Sequence, residues 1–174
     1  MSMYKRGFTI FFAVLVSSLA LAIGLAIYDL LVRELELTRT ATQSQYAIYA
    51  ADTGAECALY WDSKYNGSDS AFATSTDSNE PTSGIMCNEQ DVAAAAVTAG
   101  TWPIESETDS DSAATEFQVL LIAGDIASPC AIVRVQKTTA NPGDPPATTV
   151  TSRGRNTCEL GAPLQIERTL EVNY

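Results

Sequence analysis

The chain contains no histidine, and its 174 residues carry only 10 Lys+Arg against 21 Asp+Glu, a formal net charge of −11. Without His there is no His-based triad, no imidazole proton shuttle and none of the usual zinc or haem ligand sets. So acidic a surface repels phosphate backbones, which argues against specific nucleic-acid binding. There is no Walker-type Gly-rich loop, no Gly-x-Ser-x-Gly and no Cys-x-x-Cys. The many carboxylates include no pair marked out as an acid/base couple. No catalysis, cofactor or metal is expected. Proline is absent before Pro81, and no glycine falls between Gly24 and Gly54. The first third of the chain therefore holds almost nothing that breaks a helix.

Twenty-one residues from Phe8 to Tyr28 carry no charge. As a helix rising about 1.5 Å per residue they extend about 31 Å, enough to cross the hydrocarbon core of a bilayer. Lys5 and Arg6 precede the span and Asp29 is the first charge after it. That asymmetry keeps the short N-terminus in the cytoplasm and exports the remainder. Two plainer readings compete. One is a cleaved secretory signal with Ala20 or Ala22 at the cut, although the apolar run exceeds the usual h-region of about 7–15 residues. The other is an anchor with no further processing.

Helical character continues beyond the span. Asp29/Arg33 at i,i+4 and Glu36/Arg39 at i,i+3 suit a solvated helix. Ile48, Ala51, Ala55, Ala58 and Leu59 then recur at spacings of three and four, an apolar stripe of mostly small side chains. One helix of about 85 Å from Phe8 to Lys64 follows, ended by a turn at Asn66-Gly67. Asn66-Gly67-Ser68 also matches a glycosylation sequon, which the turn explains equally well.

Residues 66–116 form a polar connecting region broken by Pro81 and Pro103, with a short helix over Asp91–Ala99 capped by Asn88. The acidic run from Glu105 to Asp111 lacks the Gly and the terminal bidentate Glu of an EF-hand loop, so a solvated loop is favoured over a calcium site. Residues 117–174 read as four strands: Phe117–Ile122, Ala131–Gln136, Thr148–Ser152 and Leu164–Val172. Near Thr169 the last reads as bulged. Asn141–Pro146 is a turn between the second and third strands, and Ser152-Arg153-Gly154-Arg155 reads as a strand-end bend. Consecutive strands with local turns imply an antiparallel meander, with the Ala stripe as its cover. The fold class is α+β: a long N-terminal helix packed on an antiparallel sheet.

Cys57, Cys87, Cys130 and Cys158 favour disulfides in an exported chain, and four cysteines allow three connectivities. Cys57–Cys87 would tie the helix to the loop after it, and Cys130–Cys158 would tie two strand regions. The crossed pairings stay open at this level.

Lys5-Arg6-Gly7-Phe8-Thr9, set directly before the apolar span, resembles the cleavage signal of type IV prepilins and type II secretion pseudopilins. The resemblance implies a leader of residues 1–7, cleavage after Gly7 by a prepilin peptidase, and an N-methylated Phe8. It implies 8–28 as a transmembrane and filament-core helix and 29–65 as its amphipathic continuation. Ala50-Ala-Asp-Thr-Gly-Ala-Glu56 is similar to a segment of minor pilins. The close match runs from Lys5 to about Asp62, and the remainder agrees in architecture alone. One departure stands out: major pilins carry Glu at the fifth mature position, where this chain has Phe12. The resemblance therefore implies a minor, tip-type pilin in a surface filament. Its partners would be other pilins through the N-terminal helix, the peptidase, inner-membrane assembly machinery and, before assembly, lipid. A type II secretion minor pseudopilin and a non-polymerising, membrane-anchored binding domain are the alternatives.

Overall fold

The computed structural model describes residues 6–65, 70–74, 79–104, 107–141 and 144–174. It is an α+β chain with a long N-terminal helix and a four-stranded antiparallel sheet. Helix α1 spans Arg6–Lys64. A two-residue hairpin, β1 (Met86–Cys87) and β2 (Gln90–Asp91), leads into helix α2 (Val92–Ala99). The sheet follows as β3 (Ser112–Leu120), β4 (Cys130–Thr138), β5 (Ala147–Arg155) and β6 (Glu167–Asn173), paired in chain order as a meander. The chain divides into two compact units, Met1–Thr42 and Gln43–Tyr174.

Within the second unit, the stretch of α1 from Gln43 onward buries Ala47, Ala50, Ala51, Ala55 and Ala58. The contact with the sheet is closer than alanine alone would require. A Cβ on Gly54 would sit 2.6 Å from Val133 Cγ2 and 2.7 Å from Ser152 Oγ. From the other side, a Cβ on Gly154 would collide with the backbone of Ala47 and Ala51. Helix and sheet thus meet glycine to backbone, and side chains flanking that contact fill the core. Phe72, Trp102 and Phe117 pack together with ring centroids 5.3–5.8 Å apart. Inward-facing Val119, Val133, Val135 and Val150 complete the sheet's buried face.

Several local expectations change. Asn88 does not cap α2: it lies at φ 48° in the β1–β2 turn. Asp91 is the cap, accepting from the Ala94 N–H, because its extended backbone aims the carboxylate at the open first turn. The first long strand begins at Ser112 rather than Phe117, since Ala113 and Thr115 face the core without a bulky apolar pattern. Gly154 is no strand-end bend. It lies inside β5, where the backbone of α1 comes too close for any side chain. β6 starts at Glu167, and its register against β5 runs without a bulge from Arg155↔Glu167 to Thr149↔Asn173. Arg168 shares the inner face with Leu170 and Val172, and that one charge is what interrupts the apolar pattern.

The expected turn at Asn66-Gly67 and the sequon it belongs to lie outside the described residues. So do Pro142-Gly143, although flanking Asn141 and Asp144 are hydrogen bonded to each other.

Candidate functional site

Helix α1 contains the Gly7–Phe8 junction in its opening turns; Lys5 lies outside the described residues. From Phe8 to Thr42 every residue is exposed. The apolar surface includes Phe8 (74% exposed), Phe12, Leu15 and Leu21, and it does not stop at Asp29: Leu30, Leu31, Val32, Leu35 and Leu37 are also exposed. This helix is long and apolar enough to cross a membrane. Its hydroxyls suit that setting, because Ser17 donates to the Ala13 carbonyl and Ser18 to that of Leu15. Polar side chains that turn back on their own helix leave no unpaired donor facing lipid. Asp29 and Arg33 form an ion pair at 3.3 Å. No Glu36–Arg39 pair forms among the described residues, as the small gain of an exposed pair allows.

In the second unit two disulfides bound the fold. Cys57 pairs with Cys87, and Cys130 with Cys158, each with Cα atoms 5.9 Å apart. The first joins the helix to β1, beside the bond that Trp61 Nε1 donates to the Met86 carbonyl. The second ties the loop after β5 to the first residue of β4, and the Cys158 N–H also donates to the Ile126 carbonyl in the loop before that strand.

A polar cluster that no sequence pattern announces lies at the other end of the sheet. Lys137 projects from the inner face of β4 and pairs with Asp62 of α1, and both side chains are more than 90% buried. Ser70 Oγ donates to Asp62 Oδ1 and accepts from Lys137 Nζ, and the Tyr174 hydroxyl donates to Asp62 Oδ2 at 2.7 Å. Burial, together with the Asp62 carboxylate, pushes the Tyr174 phenol well above its ordinary value. Every partner here is occupied by another, so the cluster is a clamp between helix and sheet, with no free nucleophile or open ligand position. The described part of the acidic run, from Glu107 to Asp111, is built as a turn. Asp109 accepts from the N–H groups of Asp111 and Ser112, which hold its carboxyl below the usual range, and Glu107 pairs with Arg134. Among the described residues no group of three or more Cys, Asp or Glu is placed to hold a metal.

The candidate functional surface is the exposed apolar stretch of α1 between Phe8 and Leu37. Compared with protein-family models, curated proteins and solved structures, the chain matches none.

Proposed function

We propose that this chain is a minor, tip-type subunit of a type IV pilus-like filament, cut between Gly7 and Phe8 by a prepilin peptidase and N-methylated on Phe8. Cleavage also removes Lys5 and Arg6, which makes the subunit two side-chain charges more negative than the intact chain. Before assembly it would be a single-pass protein of the inner membrane with its head exported.

The observation that carries this reading is the length of unpartnered apolar helix. A bilayer core of about 30 Å is satisfied by about 20 residues, which Phe8–Tyr28 already provide. Leu30, Leu31, Val32, Leu35 and Leu37 lie past that limit and are exposed. A simple anchor has no use for five aliphatic side chains beyond its span, whereas a helix that leaves lipid for a bundle of like helices buries all of them. Phe12 supports the minor role. A charged amine at Phe8 needs an anionic partner in apolar surroundings, and the nearest acid in its own chain is Asp29, about 31 Å along the helix. A neighbouring major subunit's Glu can supply the partner, so co-assembly is favoured over homopolymerisation.

Mass spectrometry of the N-terminus of membrane-extracted protein tests the proposal. The expected result is methylated Phe8; an intact Met1, or a start near residue 23, overturns it. The minor role is tested by expressing the chain alone with an assembly machinery, where filaments made only of this subunit would refute it.

A further inference from the structure

The two edges of the sheet are finished differently. In β3 six of the ten backbone groups that Ser112, Ala114, Glu116, Gln118 and Leu120 turn away from β4 have partners among the described residues. Ser112 exchanges bonds with Asp109, the Ala114 carbonyl accepts from Ile104 N–H, and Glu116 N–H donates to Thr101 O. At Leu120 the Gln90 side chain both donates and accepts. β6 has no such cover. Tyr174 and Thr148 exchange both backbone bonds, and Asn156 N–H donates to Ile166 O. The alternation of an antiparallel ladder then turns the N–H and C=O of Glu167, Thr169, Glu171 and Asn173 away from β5. None of these eight groups has a hydrogen-bond partner among the described residues, and all four side chains are exposed.

We infer that the β6 edge is a strand-addition site, and that it takes an extended segment of another polypeptide with Lys or Arg on one face and aliphatic side chains on the other. Only an extended backbone matches a row of free donors and acceptors at strand spacing. The edge is regular enough to accept it, with no proline and no bulge. β6 runs beside α1, tied to it by Arg168–Ser44 at one end and Tyr174–Asp62 at the other. Inward side chains of an added strand would therefore lie along Ile48, which is half exposed, and reach a cavity of about 290 Å³ lined by Leu59, Asp62, Ser63 and Tyr174. Outward side chains would stand beside Glu171, which pairs with no cation among the described residues and so selects a base, whereas Glu167 is already paired with Arg155 at 2.7 Å. A second copy is a poor occupant. Antiparallel β6–β6 pairing centred on Leu170 sets Glu167 against Asn173 and Thr169 against Glu171, with no opposite charge, between chains of net charge −11. The inference rests on the head alone and holds whether or not the chain enters a filament.

The test uses the full chain in detergent, with a strand of alternating Lys and Val appended after Tyr174 through a flexible linker of about ten residues, so that its effective concentration is millimolar. Amide exchange is compared with a control in which Pro replaces each Val. The expected result is about tenfold slower exchange at Glu167, Thr169, Glu171 and Asn173, with β3 unchanged. Thr169→Pro should abolish that slowing while the β5–β6 ladder survives, because this N–H points outward. Glu171→Lys should weaken it for the Lys strand and strengthen it for a Glu strand. Equal exchange in both fusions, or indifference to Thr169→Pro, overturns the site. Indifference to Glu171→Lys overturns the basic partner. A dimer of the unmodified chain with these four amides already protected overturns it in favour of self-pairing.

Discussion

One helix carries two surfaces that obey opposite rules. Between Phe8 and Leu37 it presents many large apolar side chains, all of them exposed; from Ala47 to Ala58 the inward positions are Ala and Gly, and they are buried. Size sets what may approach. Large side chains offer area to a yielding partner such as lipid or another helix, while small ones let a rigid sheet come to backbone distance. The first surface should therefore tolerate changes of shape, and the second should tolerate almost none.

The largest effect is expected at the clamp behind the small-residue surface. Lys137→Met leaves Asp62 buried with only its bonds from Ser70 and Tyr174, and should cost about 3–5 kcal/mol in denaturant unfolding of the head. A loss below about 1 kcal/mol would mean that Asp62 reaches water. Gly154→Ala should cost about 3 kcal/mol, because the obstacle is helix backbone. Gly54→Ala should cost less, since the Val133 and Ser152 side chains can rotate and only the Ala131 Cβ, at 2.7 Å, is fixed to the strand. Equal costs for the two would refute backbone contact as the limit. Replacing Cys57 and Cys87 together with Ser should remove about 2–4 kcal/mol, read as a lower midpoint under oxidising conditions and no change under reducing ones.

Tyr174 makes a pH prediction. Its phenol titrates higher in the folded head than its ordinary value of 10.0, so the folded state favours the protonated form. That stabilisation is complete below pH 10 and fades as pH rises through the folded value. Tyr174→Phe should flatten the alkaline loss of stability above pH 10; an unchanged alkaline limb would place the titration elsewhere. The smallest effect belongs to the other surface. Leu35→Ala should change head stability by less than about 0.5 kcal/mol while reducing recovery of the subunit in sheared filaments. A change in stability as large as that of Gly54→Ala would erase the contrast between the two halves.

What could be read in the chain follows the same division. The helix was legible because a run free of Pro, and nearly free of Gly, has few alternatives, and the meander because each strand is bounded by turn residues. Gly154 was not, since a glycine within a strand has the same signature whether it bends the chain or admits a neighbour. Ser112–Glu116 was missed as strand because its core-facing members are Ala113 and Thr115, too small or too polar to mark an inner face. The Asp62–Lys137–Tyr174 clamp joins residues up to 112 positions apart, and no local spacing encodes such a meeting. Asn88 and Asp91 are both good caps by residue type, and only backbone angles separate them.

The two disulfides have a mechanical consequence. They close loops of 30 and 28 residues, each of which withholds about 100 Å of chain from extension at about 3.5 Å per residue. A head pulled by its N-terminal helix can surrender only the length left outside those loops. Tension along a fibre would meet a short tether that stiffens early, and reduction of the sulfurs would lengthen it in two discrete increments.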